Sequence, residues 1–310
     1  MKKTFPGVMK RYGIFIGFIV VVIVVSMLDD AFFTSANLLN IVRQSADYGV
    51  MAVGMTFVIL TAGIDLSVGS ILALTGIFCA DFEHSGWPVF VVVLATLSIG
   101  ASIGLLNGLV ITKGKVTPFV VTLGTMSIAR GFAHIYTGAQ PISEFGRSFR
   151  YIGRGYLLGV PVPIVIFFAT VLIAAFILRY TRPGRYTYAI GSNEQAARLA
   201  GVNVDRFKIA AYMVCGLTAA LGAVILTSRL NAAETTAGAG YELNVIAAVV
   251  IGGTSLMGGR GSVWGTLIGV LLIGTINNAM NLLLISSYWQ LIVRGSIIVT
   301  AVLLDRLREN

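Results

Sequence analysis

The side chains in this chain that could do chemistry are few, and their spacing suits passage of a solute better than reaction. Three amides fall together as Asn277, Asn278 and Asn281, the first and last four residues apart and so on one helical face, with Gln290 following. Thr56 and Asn107 add a hydroxyl and an amide inside other apolar stretches. Such groups can hydrogen-bond a polar solute in transit, or they can bind helices to one another. Asp65 lies in residues 61–70 (TAGIDLSVGS) and Arg260 in residues 252–265 (GGTSLMGGRGSVWG), two glycine-interrupted junctions of the kind that point to a pathway in transporters. The two can line or latch a gate; alternatively Asp65 caps the helix beginning near Leu66 and the glycines pack helices together.

Other chemistries are absent from the pattern. No G-x-x-x-x-G-K-[ST] occurs, and the nearest glycine cluster contains Arg260 but no lysine, so any ATP that drives this protein is bound by another chain. Cys79 and Cys215 lack CxxC or Cys/His spacing and read as buried structural thiols, and His84 and His134 have no partners at metal-ligand spacing. Ionisable residues inside apolar runs are functional candidates by default. Arg43 and Asp47, four apart, predict a structural ion pair, whereas Arg130 and Arg294 have no acid three or four positions away. Arg147, Arg150 and Arg154, beside Phe149 and Tyr151, suit either docking of an acidic protein surface or a solvated, headgroup-facing loop.

The elements that must carry these residues are set by composition. Of 310 residues 56% are hydrophobic and 11% charged, against roughly a quarter charged in soluble domains, and the mean hydropathy is +0.89. A soluble multi-domain enzyme is excluded. Apolar runs at 12–28, 38–61, 68–82, 88–112, 117–136, 161–178, 209–227, 243–257, 263–284 and 288–304 predict an all-α, polytopic integral membrane protein of about ten transmembrane helices. The first run leads into Asp29 and Asp30 rather than an A-x-A site, which predicts an uncleaved helix. With the N-terminus in the cytoplasm, fifteen of the 22 Lys and Arg fall inside and four outside (Arg147, Arg150, Arg154 and Arg229), so both termini are expected to be cytoplasmic. The net charge of +9 sits mainly between apolar runs, and no nucleic-acid partner is expected. The expected organisation is a cytoplasmic segment 1–11, a membrane domain 12–304 and a cytoplasmic tail 305–310, with an external loop at 137–160 and a cytoplasmic loop at 179–208. That last loop reads RYTRPGRYTYAIGSNEQAARLAGVNVDRFK, with a Pro183-Gly184 turn. A helix over 193–200 follows, which Ser192 or Asn193 can cap and Gly201 can end. It is either a solvated connection or a short helix presenting Glu194, Gln195 and Arg198 to a partner.

Four passages give the chain a resemblance: residues 52–70 (AVGMTFVILTAGIDLSVGS), 186–204 (YTYAIGSNEQAARLAGVNV), 240–261 (GYELNVIAAVVIGGTSLMGGRG) and 265–283 (GTLIGVLLIGTINNAMNLL). Through them it resembles, over nearly its whole length, the permease subunits of bacterial ATP-binding-cassette importers for monosaccharides, of the ribose permease type. The resemblance implies a permease of the bacterial cytoplasmic (inner) membrane that does no covalent chemistry and binds no cofactor. ATP and Mg are used by a separate cytoplasmic ATPase. The other implied partners are a periplasmic or lipid-anchored sugar-binding protein, a second copy of the permease and membrane lipids. It also implies an ATPase-coupling helix within 191–204, in which Asn193, Glu194, Ala197, Arg198 and Gly201 carry the role. The cargo expected is ribose or another pentose, with a hexose or other small polyol-like ligand, and an ion-coupled secondary transporter of a small polar solute, as the alternatives. The chain departs from the family pattern at 231–235 (NAAET) and at Ala279-Met280 and Leu284-Ile285.

Overall fold

In lipid, a backbone must bond to itself, and apolar runs punctuated by Gly and Pro meet that demand as helices. The computed structural model describes residues 17–27, 29 and 31–309. Residues 1–16 (with Lys2, Lys3, Lys10 and Arg11), Asp30 and the side chains of Arg294, Arg306 and Arg308 lie outside the described residues. The first element is α1 (Gly17–Met27). It is followed by α2 (Ser35–Leu60), α3 (Val68–His84), α4 (Val89–Lys113) and α5 (Pro118–Thr137). Then come β1 (Ile142–Ser143), α6 (Arg147–Arg154), β2 (Tyr156–Leu157) and β3 (Val160–Pro161). The chain continues through α7 (Val162–Tyr180), α8 (Arg182–Ser192), α9 (Glu194–Leu199), α10 (Val204–Leu230) and β4 (Ala232–Ala233). It closes with α11 (Tyr241–Ile251), α12 (Val263–Leu282) and α13 (Ser287–Glu309). Each of the ten apolar runs contains a helix, and among the described residues four of these, α4, α7, α10 and α12, are long and apolar enough to cross a membrane by length and composition.

Three local outcomes differ from the sequence reading. The 243–257 run stops early: α11 ends at Ile251 and residues 252–262 form turns, because Gly253, Gly258 and Gly259 take positive φ. Pro183 and Gly184 do not make a free turn but begin α8, where a proline costs no hydrogen bond and Thr181 Oγ1 caps the helix by accepting from Gly184 N (3.4 Å). The loop at 137–160, expected outside, is also structured. It contains α6, and β1 pairs antiparallel with β4 (Ile142 opposite Ala233), so the loop is fastened to the segment between α10 and α11.

Helix α2 runs through the centre of the molecule, buried from Ser45 to Leu60. Its Met51, Met55 and Ile59 pack into one core with Leu72 of α3, Tyr212 and Ile225 of α10 and Val249 of α11. Against the far side of α10 lies α4, and the seam between them is made of glycine. A Cβ on Gly100 would collide with Gly216 O, one on Gly104 with Tyr212 O, and one on Gly108 would lie 2.7 Å from Ile209 Cα. No larger side chain fits, and the close backbone approach is the small-residue packing that replaces hydrophobic burial between helices in lipid. Large apolar side chains such as Phe90, Leu106, Ile173 and Phe176 face outward.

Candidate functional site

A polar cavity of about 180 Å³ lies among α2, α10, α11, α12 and α13. From α2 come Gln44, Ser45 and Tyr48; from α12, Asn277 and Asn281; and from α13, Gln290. Helix α11 contributes Tyr241 and Asn244, three residues apart and thus on one face. The Tyr48 and Tyr241 rings meet edge to face with centroids 6.1 Å apart. Tyr48 donates to Ser45 Oγ (2.9 Å), an arrangement that needs Gly274 opposite, since a Cβ there would collide with that oxygen. Gln290 Nε2 donates to Asn281 Oδ1 (3.0 Å), while Asn277 Oδ1 is buried with no hydrogen-bond partner. An unmade bond of this sort costs about 1–3 kcal/mol, which an incoming hydroxyl donor would recover.

One charge borders the cavity, and it is matched. Arg229 Nη2 donates to Asp47 Oδ2 (2.8 Å), and Asp47 Oδ1 accepts from Tyr48 N (2.7 Å). The Arg43–Asp47 pair expected from spacing therefore does not form. Asp47 is fully buried against the end of α10, which supplies Arg229, and Arg43 Nη2 instead donates to Gly153 O (3.0 Å) on α6. The cavity thus offers amides, a hydroxyl, two phenol rings and no uncompensated charge, the surface for a small neutral polyhydroxylated solute.

Of the expected pathway residues, Asn277, Asn281 and Gln290 come together here and the others do not. Thr56 Oγ1 lies 2.8 Å from Thr266 Oγ1, joining α2 to α12. Asn107 donates to Ser67 Oγ (3.0 Å) and accepts from Thr125 Oγ1 (2.6 Å), and Asn278 makes a reciprocal pair with Asn37 (2.8 and 3.0 Å). These three tie helices together. Asp65 accepts from the N–H (2.9 Å) and hydroxyl of Ser67 at the start of α3, the geometry of a cap, and its other oxygen is buried without a hydrogen-bond partner. Arg260 is exposed, and no ion pair joins it to Asp65 among the described residues. Arg130, unpaired in sequence, donates to Thr235 O (2.6 Å) and Ala237 O (2.8 Å) and so satisfies the non-helical backbone that leads into α11.

At the end of α10 away from α6 stands α9. Asn193 caps it by accepting from Ala196 N (2.9 Å). Ala197 is buried beside Ile190 and Val204, and Gly201 turns the chain away at φ +80°. Glu194 pairs with Arg198 (3.0 Å) and Lys208, and Arg198 continues to Asp205 (2.7 Å), which also binds Lys113 (3.0 Å). The network joins α9 to the ends of α4 and α10. The hydrogen bond from Lys208, helped by Arg198, holds the Glu194 carboxyl below its usual range. Bonds to Asp205 and Glu194 raise the Arg198 guanidinium.

The three arginines of residues 137–160 lie on α6 rather than in an open loop, and they differ in task. Arg154 Nε donates to Arg229 O (2.8 Å) and its Nη2 to Leu230 O (3.2 Å), closing the C-terminus of α10. Gly153 N donates to Ser228 Oγ (2.7 Å), which in turn donates to Phe149 O (2.6 Å). Arg150 is half-buried, and Arg147 is exposed. The polar cavity residues absent from the sequence reading are Gln44, Ser45, Tyr48, Tyr241 and Asn244, while Arg229 entered it only as a basic residue expected outside. Their one signal was polar side chains recurring on a single face at 44, 45 and 48 and at 241 and 244.

Residues 37–302 match a family model described as branched-chain amino acid transport system / permease component. The chain is 52% identical to the ribose import permease protein RbsC of Bacillus subtilis (strain 168), over 97% of this chain and 94% of that one. It is 48% identical to the protein of the same name in Escherichia coli (strain K12), over 95% and 93%. To the D-allose transport system permease protein AlsC of the same strain it is 38% identical, over 96% and 92%. No solved structure matches the chain.

Proposed function

Since the chain belongs to the family of branched-chain amino acid transport system / permease components, we propose that it is the membrane permease of an ATP-binding-cassette importer whose cargo is ribose. The observation that carries this reading is the likeness, along nearly the whole chain, to ribose import permeases. The cavity agrees with it. A zwitterionic amino acid needs a counter-charge for its carboxylate and its ammonium, and the one cation here is already paired with Asp47. Hydroxyl groups need amide donors and acceptors, which Gln44, Asn244, Asn277 and Asn281 provide. A permease fed by a separate binding protein needs only weak sites along its path.

In this reading about ten helices span the inner membrane, both termini face the cytoplasm, and two copies of the chain pair around a pathway that opens alternately to each side. Helix α9, with Asn193, Glu194, Ala197, Arg198 and Gly201, receives the motion of a cytoplasmic ATPase that binds the ATP and Mg. A sugar-binding protein docks outside, with Arg147 and Arg150 on α6 facing its acidic surface and Arg154 reserved for closing α10.

The test is reconstitution in liposomes with the ATPase and the binding protein. ATP-dependent uptake of ribose, with leucine excluded, is the expected result. Asn277→Leu is expected to lower maximal ribose uptake about tenfold, the worth of one or two hydrogen bonds, with binding-protein affinity unchanged. Ribose uptake that needs no ATP, or uptake of leucine in its place, would overturn the reading.

A further inference from the structure

Where α8 passes into α9, the chain presses directly on two other segments. A Cβ on Gly191 would collide with Leu60 O, at the end of α2, and with Gly259 N. Gly259 N donates to that same Leu60 O (3.0 Å), and a Cβ on Gly258 would meet Ala62 N at 2.8 Å and Gly191 Cα at 3.0 Å. Tyr188 of α8 adds a hydrogen bond to Gly261 O (3.0 Å). Backbone meets backbone at this junction, so α8, the end of α2 and the turn at residues 255–261 cannot shift independently.

That turn is folded rather than loose, with Ser255 N donating to Arg260 O (2.9 Å) and Gly258 N to Ser255 O (3.0 Å). It nevertheless projects Met257, 68% exposed, and Arg260 into the surroundings. On α9, Leu199 is 90% exposed. Leu199 follows Arg198, and Met257 lies three residues before the exposed Arg260. Arg260 enters no ion pair among the described residues.

We propose that the turn at residues 255–261 is a second docking element for the ATPase, received together with α9, with Met257 entering an apolar pocket and Arg260 facing an acidic rim. The proposal rests on the reading of α9 as the coupling helix. Its occupant follows from continuity: the turn abuts Ser192 and Gly191, immediately before α9, so a partner seated on one lies beside the other. The consequence is mechanical. The turn joins α11 to α12, and the junction holds α2, so the ATPase would grip three of the helices that line the cavity rather than the α8–α10 connection alone.

The experiment is purification of the tagged permease from native membranes with its ATPase, comparing wild type, Leu199→Asp, Met257→Asp and Met257→Leu. Both aspartate variants are expected to retain about a tenth or less of the ATPase, the loss of one interface hot spot, and Met257→Leu to retain it. A Met257→Cys chain is expected to be shielded from maleimide when the ATPase is bound, against a silent background because Cys79 and Cys215 are buried. Full retention by Met257→Asp with loss from Leu199→Asp would overturn the second element and leave α9 standing. Retention by both would overturn the coupling reading with it. If Met257→Asp does not fold, the shielding of the thiol in the Met257→Cys chain decides: unshielded labelling in the assembled complex overturns the proposal.

Discussion

Asp47 and Arg229 show how one side chain's partner decides what its neighbours can do. Asp47 is fully buried and Arg229 mostly so, and each has the other as its charge partner. Removing one member of such a pair strands the other, at a cost of about 3–5 kcal/mol, whereas replacing both with apolar groups is often near neutral. Asp47→Asn is therefore expected to lower the thermal unfolding temperature of the detergent-solubilised protein markedly, and Asp47→Leu with Arg229→Met to restore most of it. Equal destabilisation by single and double variants would show that the pair is not the cause. Spacing along the chain misassigned this pair because a four-residue interval establishes that two side chains share a face, and says nothing of what a distant helix brings to that face. The amides fared better: Asn277 and Asn281 lie four apart on α12 and reach one cavity, while Asn278, one position round the helix, turns to Asn37.

At the level of single elements, α9 is the most testable. Its cap, its glycine stop and its charges were all readable in sequence, because capping is local chemistry decided within four or five residues. Its network was not, since Lys113 and Lys208 arrive from other helices. Glu194 titrates below its ordinary value, chiefly through Lys208, so its contribution to holding α9 is complete above pH of about 4.5 and is lost as pH falls below that through the depressed value. Amide exchange in α9 is expected to be steady between pH 7 and pH 5, after correction for intrinsic rates, and to quicken below. In Glu194→Gln that step should vanish; its persistence would assign it to another carboxylate. Elements defined by long-range pairing escaped the sequence altogether. The two-residue strands β1 and β4 and the helix α6 exist because the loop at 137–160 has the end of α10 and the segment just after it to lean on. The glycine seam could have been found, since Gly100, Gly104 and Gly108 recur every four residues in an apolar run, the small-xxx-small signature of close helix contact.

For the whole molecule, the ten apolar runs each hold a helix of the structure, and the lopsided distribution of Lys and Arg proposes a direction across the membrane, because both kinds of reading rest on transfer free energy and not on particular contacts. The direction can be checked with impermeant thiol reagents, since the two native cysteines are buried. Leu158→Cys, at the 99% exposed tip of the β2–β3 hairpin, is expected to label in intact cells. Lys115→Cys, between α4 and α5, is expected to label only after the membrane is opened, and the reverse pattern would invert the topology. The architecture nonetheless depends on how helices are matched along their lengths, and there the seam of α4 against α10 imposes a rule of its own. One residue inserted between Gly100 and Gly108 would swing every later glycine about 100° around the helix, out of the seam and into lipid, and bring side chains against a backbone that leaves them no room. Insertions and deletions are thereby shut out of this stretch of the chain, and any growth or shortening of the protein must take place in its loops.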